Sequence, residues 1–451
     1  MNPFRISYLE FVCTDGDCLF LAEILLCMHG FLLQFKIMYH SEFLKISKER
    51  GFIHQGTDIE ELDLLMQKGS ISAYLGFDPT ADSLHVGHLV GIMWLRLLQK
   101  TGHKPIVLIG GATSMIGDPT GKDALRQQLT ESDIALNIKG INKTFESFLK
   151  FGAGSTDAVL VNNADWLKKL NYLEFLRDYG CHFSVNRMLS FDSIKLRLER
   201  EQPLSFLEFN YMIFQSYDFL ELYRHHNCLL QMGGSDQWGN IVAGVDLTRR
   251  MSGKRVFGLT AHLLLTSAGT KMGKTSGGAV WLNREKLSDY DYWQFWRNTD
   301  DRDVGRYLRL FTDFPISEIE KLEKLQGAEL NEAKKILADE ATALARDRNC
   351  LEAIHQTVAE LFEKQGSGNL NQLEKENINV SELPLGFDEV FARYNLVTSK
   401  GEARRLIQGG GARVNDQPIH DIKNLLTSDH FSDGLAKLSA GKKKHLVLQL
   451  V

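Results

Sequence analysis

Two short segments carry the side chains best suited to chemistry. His85-Val86-Gly87-His88 sets two imidazoles three residues apart around a glycine. Lys271-Met272-Gly273-Lys274-Thr275-Ser276 sets two lysines three apart inside the glycine-rich run 267–278. A catalytic zinc helix would need a third ligand and HExxH spacing, and neither accompanies His85 and His88. The histidine pair follows a strand-and-turn pattern and precedes an apolar helical one, which puts it at a helix N-terminus. Free N–H groups and the helix dipole favour an anion there. At i, i+3 the two rings share one face, and Gly87 leaves the backbone open to a flat ring. A loop with two lysines can close over a polyphosphate, each ammonium acting as a movable charge on a leaving pyrophosphate. Each segment alone also has a plain reading, as capping or core histidines and as an exposed basic turn. Together, in this order, they read as a nucleotide site.

The elements that must position them follow a regular pattern. Residues 71–77 (ISAYLGF), 104–110 (KPIVLIG), 157–163 (DAVLVNN) and 228–233 (CLLQMG) read as short buried strands. Helical patterns, such as 88–99 and 172–179, lie between them. Alternating strands and helices predict a doubly wound α/β fold on a parallel, Rossmann-like sheet. Ligands of such sheets bind at the carboxyl ends of the strands. The polar tails Gly76-Phe77-Asp78, Gly110-Gly111-Ala112-Thr113, Asn162-Asn163 and Gly233-Gly234-Ser235-Asp236 are therefore expected to surround one site.

The chain has 451 residues, enough for two or three domains. Its net charge of −5 excludes wholesale coating of nucleic acid but leaves room for a local basic site. Six cysteines without a CxxC pair exclude a disulfide framework or zinc ribbon and point to a reducing, cytoplasmic setting. Residues 18–35 are apolar, yet Glu23 interrupts them and Glu10, Asp15 and Asp17 precede them. A secretory signal wants a basic start and a transit peptide avoids acids. Residues 1–40 are accordingly read as an extension of unknown role, with Met38 an alternative start and no membrane association expected.

The expected organisation is a nucleotide-binding catalytic domain over 41–288, a helical domain over 289–365, a linker over 366–385 and a small α+β domain over 386–451. The helical assignment rests on charged residues interleaved with apolar ones at helical spacing. The linker is polar and weakly patterned (GSGNLNQLEKENINVSELPL). In the last domain, 398–407 reads as a capped helix carrying Arg404 and Arg405, 412–419 as a hairpin, and Lys442-Lys443-Lys444 as a basic cluster before a final strand.

The two signatures resemble those of the class I aminoacyl-tRNA synthetases, a HIGH-type segment and a KMSKS-type loop, with Gly273 in place of the loop's serine. The likeness extends to the bacterial-type tyrosyl enzymes. It lies in Tyr74-Leu75-Gly76-Phe77-Asp78-Pro79-Thr80-Ala81-Asp82-Ser83-Leu84, in 110–113 (GGAT) with Gly117-Asp118-Pro119, in 211–218 (YMIFQSYD) and in 231–240 (QMGGSDQWGN). It covers nearly everything from Ser41 to the end. Two departures are Leu75, where the family often has cysteine and a ribose contact, and Gly91, at a position that varies.

The resemblance implies roles. Tyr74 and Asp218 would bind the phenol hydroxyl of tyrosine, and Asp118, Tyr211 and Gln215 its ammonium group. Asp78, Thr80, Gly87, Gly234, Asp236 and Gln237 would face ATP and the adenylate, with Lys274. His85, His88, Lys271, Lys274 and Thr275 would hold the phosphates, with Lys122 and Arg126 helping to neutralise pyrophosphate. An acceptor carboxylate left unpaired by phenylalanine makes its rejection strong, and tyrosyl enzymes are the reference case for that effect. The terminal domain is similar to a small RNA-binding module, with Arg404, Arg405, Lys442, Lys443 and Lys444 facing RNA phosphates.

The function implied is tyrosine–tRNA ligation with L-tyrosine, ATP carrying Mg2+, and tRNA(Tyr) as partners. No tightly bound protein metal is expected, and a homodimer is. Two rivals stay open on the sequence alone. One is another enzyme with an HxGH segment, a tryptophanyl ligase or a nucleotidyltransferase. The other is a non-catalytic RNA-binding protein on the same scaffold.

Overall fold

The computed structural model describes residues 39–118, 129–267, 269, 272–275, 278–362, 375–432, 434–441 and 444–451. Most of the 1–40 extension and Lys122, Arg126, Lys271, Lys442 and Lys443 lie outside these described residues. Lys274 and Thr275 are placed by their backbone.

Six strands form the central sheet: β1 (Ile53–Gly56), β2 (Ser72–Phe77), β3 (Lys104–Ile109), β4 (Val159–Asn162), β5 (Cys228–Gly234) and β6 (Phe257–Ala261). Their order is β1-β6-β5-β2-β3-β4. All neighbours run parallel except β1, which pairs antiparallel with β6 at the edge. From β2 the chain winds outward through β3 and β4, then returns to the other side of β2 with β5. The topological switch point therefore lies between β2 and β5, where ligands of such sheets bind. The predicted doubly wound sheet is present. The four strands expected from apolar runs are β2, β3, β4 and β5, whereas β1 and β6 are additions that the sequence pattern did not single out.

Register sets the site. Tyr74 pairs with Ile106 on one side and Gln231 on the other, and Ile109 pairs with Asn162. The carboxyl ends of β2 to β5 thus finish at a common level. Val86–His88 forms a 3-10 turn that leads into the Leu89–Lys100 helix. That helix buries Ile92, Trp94, Leu95 and Leu98 completely, which fixes the direction of its N-terminus. The Phe206–His226 helix starts at a capping box made by Ser205 and Glu208 and carries Tyr211, Gln215 and Asp218.

Beyond the sheet, five helices span Asp289–Arg297, Val304–Phe311, Ile316–Leu322, Leu330–Arg346 and Cys350–Phe362. Trp296 is fully buried among them, its ring centroid 5.0 Å from that of Phe311. The terminal unit has its own core around Phe387, Phe391, Ile407 and Leu448. Its five-stranded sheet includes Lys375–Ile378, parallel to Lys444–Leu450, so part of the segment expected as linker is an edge strand here. The predicted helix is Lys400–Gln408, capped by Ser399 accepting from the Glu402 amide. No helix among the described residues is long and apolar enough to cross a membrane.

Candidate active site

A cleft of about 350 Å³ opens at the switch point. Tyr74, Asp78, Thr80, His88, Asp118, Tyr211, Gln215, Asp218, Gly234, Asp236 and Gln237 all line it. They come from β2, the loops after β2, β3 and β5, and the Phe206–His226 helix, segments far apart in sequence. His85 and Gly87 stand beside the cleft, with the His85 and His88 ring centroids 4.1 Å apart.

At the floor, Tyr74 is 1% and Asp218 2% exposed. Asp218 accepts from Asn163 Nδ2 at 3.0 Å and from Trp166 Nε1 at 2.7 Å. Burial raises its carboxyl to about 7, against the pull of those two donors, and the charges on Asp78 and Glu221 add to the rise. Burial first, and the Asp218 charge second, push the Tyr74 phenol well above its ordinary value. The Tyr74 hydroxyl and the Gln231 Oε1 are buried without a hydrogen-bond partner among the described residues. A buried polar atom left unpaired is costly, so these two mark where a ligand's polar end fits. Asn163 and Trp166 were missed as functional residues. Asn163 was visible only as the polar tail of a strand, and nothing in the pattern singled out Trp166.

A second polar group lies on the cleft wall. Gln237 Nε2 donates to Asp118 Oδ2 at 2.7 Å, and Asn240 Nδ2 donates to both Gln215 Oε1 at 3.0 Å and Gln237 Oε1 at 3.1 Å. Asp118 is thus held by a residue 119 positions away. Asn240, on the Trp238–Ser252 helix, was not among the expected site residues.

The histidine turn has defined tautomers. His85 Nδ1 accepts from the Gly87 amide at 3.0 Å, and His88 Nδ1 accepts from the His85 amide at 3.3 Å. Each neutral ring then carries its proton on Nε2, the atom that can donate to an anion. Beside Gly87 the signature loop approaches closely. A Cβ built on Gly87 would fall 3.1 Å from the Met272 carbonyl oxygen. The two departures noted in the sequence also meet: a Cβ on Gly91 would fall 2.9 Å from Leu75 Cδ1. Leu75 fills the space that the absent side chain at Gly91 leaves.

In the terminal unit Arg404 and Arg405 are both exposed, and Arg404 Nε donates to Asp388 Oδ2 at 2.8 Å. Lys444 Nζ donates to the Leu396 carbonyl at 3.2 Å.

Residues 66–363 match the family described as tRNA synthetases class I (W and Y). The chain is 56% identical over 414 residues to a tyrosine–tRNA ligase of Caulobacter sp. (strain K31), covering 91% of this chain and 98% of that protein. It is 55% identical over 413 residues to one of Rhodospirillum rubrum, covering 91% and 98%. Among solved structures, a C-terminally truncated mitochondrial tyrosyl-tRNA synthetase of Aspergillus nidulans superposes with a TM-score of 0.65 at 31% identity, over 76% of this chain and 100% of that one.

Proposed function

The chain belongs to the class I tRNA synthetases, on their tyrosyl branch, and from that premise we infer how its cleft joins tyrosine to tRNA. The reaction is tyrosine–tRNA ligation: L-tyrosine is activated with ATP, then transferred to the 3′ end of tRNA(Tyr). The observation that carries the assignment of the cleft is the buried pair at its floor, Tyr74 with an unpartnered hydroxyl and Asp218 with a carboxylate held by Asn163 and Trp166. Such a floor suits a substrate with a hydroxyl at the far end of an aromatic ring. Phenylalanine would leave both groups short of a partner.

In the first step the tyrosine carboxylate attacks the α-phosphorus of ATP in line. A P–O bond to the carboxylate forms, the bond to the β,γ-phosphates breaks, and tyrosyl-adenylate and pyrophosphate result. The protein contributes position and charge. Asp118, braced by Gln237, holds the ammonium with Tyr211 and Gln215. Asp78, Thr80, Gly87, Gly234, Asp236 and Gln237 face the nucleotide. His85 and His88 donate from Nε2 to the phosphates, while Lys271, Lys274 and Thr275 close on the pyrophosphate, with Lys122 and Arg126 contributing charge. Magnesium enters with ATP as part of that substrate. In the second step the terminal ribose hydroxyl of tRNA attacks the adenylate carbonyl and AMP leaves.

The helical domain meets the anticodon region. Arg404, Arg405, Lys442, Lys443 and Lys444 place RNA phosphates on the terminal domain. The protein acts as a homodimer, a reading supported by exposed apolar side chains at Leu173, Val185, Leu196, Leu198 and Phe206. It works in the cytoplasm, where Cys181, Cys228 and Cys350, all free, stay reduced.

Amino-acid-dependent ATP–pyrophosphate exchange without tRNA tests the reading. Exchange with tyrosine, and none with phenylalanine or tryptophan, is expected. Exchange with tryptophan would overturn the assignment of the cleft floor.

A further inference from the structure

The peptide that returns from the signature loop runs directly past the histidine turn. Val86 N donates to the Val280 carbonyl at 2.9 Å and Leu282 N to the Leu84 carbonyl at 2.8 Å. Between them His85 and Trp281 form an antiparallel bridge. The same peptide holds the loop, because Val280 N donates to the Gly273 carbonyl at 3.1 Å. Residues 280–282 are thus a splint shared by both signatures.

The Trp281 carbonyl accepts from Arg346 Nη2 at 3.0 Å. Arg346 is the last residue of the Leu330–Arg346 helix, in the helical domain, and is 3% exposed. Its guanidinium carbon sits 4.8 Å over the Tyr292 ring, and its Nε lies 4.0 Å from Asp289 Oδ1. Nε and Nη1 have no hydrogen-bond partner among the described residues. A buried cation needs compensation. Here a charge-assisted hydrogen bond is directed at the backbone of the splint.

We propose that Arg346 is a positioning residue for adenylate formation: it clamps the Trp281 peptide and through it sets His85 and the signature loop against each other. The inference rests on the reading of the histidine turn as the phosphate site. It makes the last turn of a helical-domain helix part of the apparatus that aligns ATP.

The test is tyrosine-dependent pyrophosphate exchange by the full chain carrying Arg346→Met, which keeps an apolar stem on Tyr292. Losing the clamp is expected to lower kcat about tenfold and raise the KM for ATP, with the KM for tyrosine changed by less than about twofold. Tyrosine binding without ATP, measured by equilibrium dialysis, should be unchanged. Wild-type kinetics in this variant would overturn the proposal. So would a loss shared equally by tyrosine and ATP, the mark of a merely structural role. If Arg346→Met does not fold, Arg346→Leu, which likewise has no donor for the Trp281 carbonyl, carries the same test with the same outcomes for and against. His85→Ala is assayed in parallel. If it abolishes exchange while Arg346→Met is unaffected, the clamp alone fails. If His85→Ala keeps full exchange, the phosphate reading fails and the clamp with it.

Discussion

Gly273 of the signature loop rests on Gly87 of the histidine turn. A Cβ on Gly273 would fall 2.8 Å from the Gly87 nitrogen and 2.9 Å from His85 Nδ1. The contact is backbone on backbone and depends on the lack of a side chain at both positions. Gly273 also has a φ of +103°, a conformation that other residues rarely adopt. The glycine that stands where the family has serine therefore allows the loop to lie directly on the segment it serves.

Gly273→Ala removes this seat on two counts, the clash and the backbone angle. The substitution should cost the seated loop about 1–2 kcal/mol. Amide hydrogen exchange across residues 272–280 is expected to quicken while exchange in the β2 and β5 strands stays slow. Unchanged protection of 272–280 would show that the seat does not hold the loop.

Asp218 gives a pH prediction with a definite sign. Its folded-state carboxyl titrates at about 7, against an ordinary value of 3.8. Between these values the folded chain holds a proton that the unfolded chain has released. Stability from this group is fully present below about pH 4 and is lost as pH rises through about 7. Asp218→Asn lacks the titrating group, so wild type should lose ground to it as pH climbs from about 4 to about 7. Urea midpoints of both proteins at several pH values measure this, and parallel curves would contradict it.

The same substitution bears on specificity. An amide at this position cannot take the negative charge that makes the carboxylate the stronger acceptor for a phenol hydroxyl. Asp218→Asn should therefore narrow the preference for tyrosine over phenylalanine by at least about tenfold in kcat/KM of exchange. A preference as wide as wild type would move the phenol contact elsewhere.

Gln237 braces Asp118 through its 2.7 Å hydrogen bond and also receives Asn240. Gln237→Ala should raise the KM for tyrosine by about tenfold, as expected when a charged partner loses one good donor. Steady-state exchange over a tyrosine range reads this directly. An effect confined to the KM for ATP would place Gln237 against the nucleotide alone.

Arg405 is exposed on the Lys400–Gln408 helix, in the terminal unit rather than at the cleft. Arg405→Ala should leave pyrophosphate exchange at the wild-type rate. It should weaken tRNA binding and reduce the salt slope of that binding by about one unit, the signature of one lost phosphate contact. Filter binding over a range of salt concentrations checks both; an unchanged slope would remove this arginine from the RNA face.

The sequence by itself determined the inner strands β2, β3 and β5, because apolar runs such as those around Ile106 and Leu230 have no other way to bury both faces, and it also located β4, the half-buried edge strand. It also determined the identity of most cleft residues, because Tyr74, Asp118, Gln215, Asp218 and Asp236 sit in local strings that match a family end to end. Local pattern could not reach the contacts that cross the chain. Trp166 and Asn163 meet Asp218 only because β4 ends level with β2 and the Phe206–His226 helix packs over them. Gln237 reaches Asp118, Arg346 reaches Trp281, and Gly273 settles on Gly87 for the same reason. Composition and spacing record what a residue can do with its neighbours in sequence. Which buried donor finds which buried acceptor is decided by the register of the sheet and the packing of helices on it, where an unpaired polar group is too costly to leave.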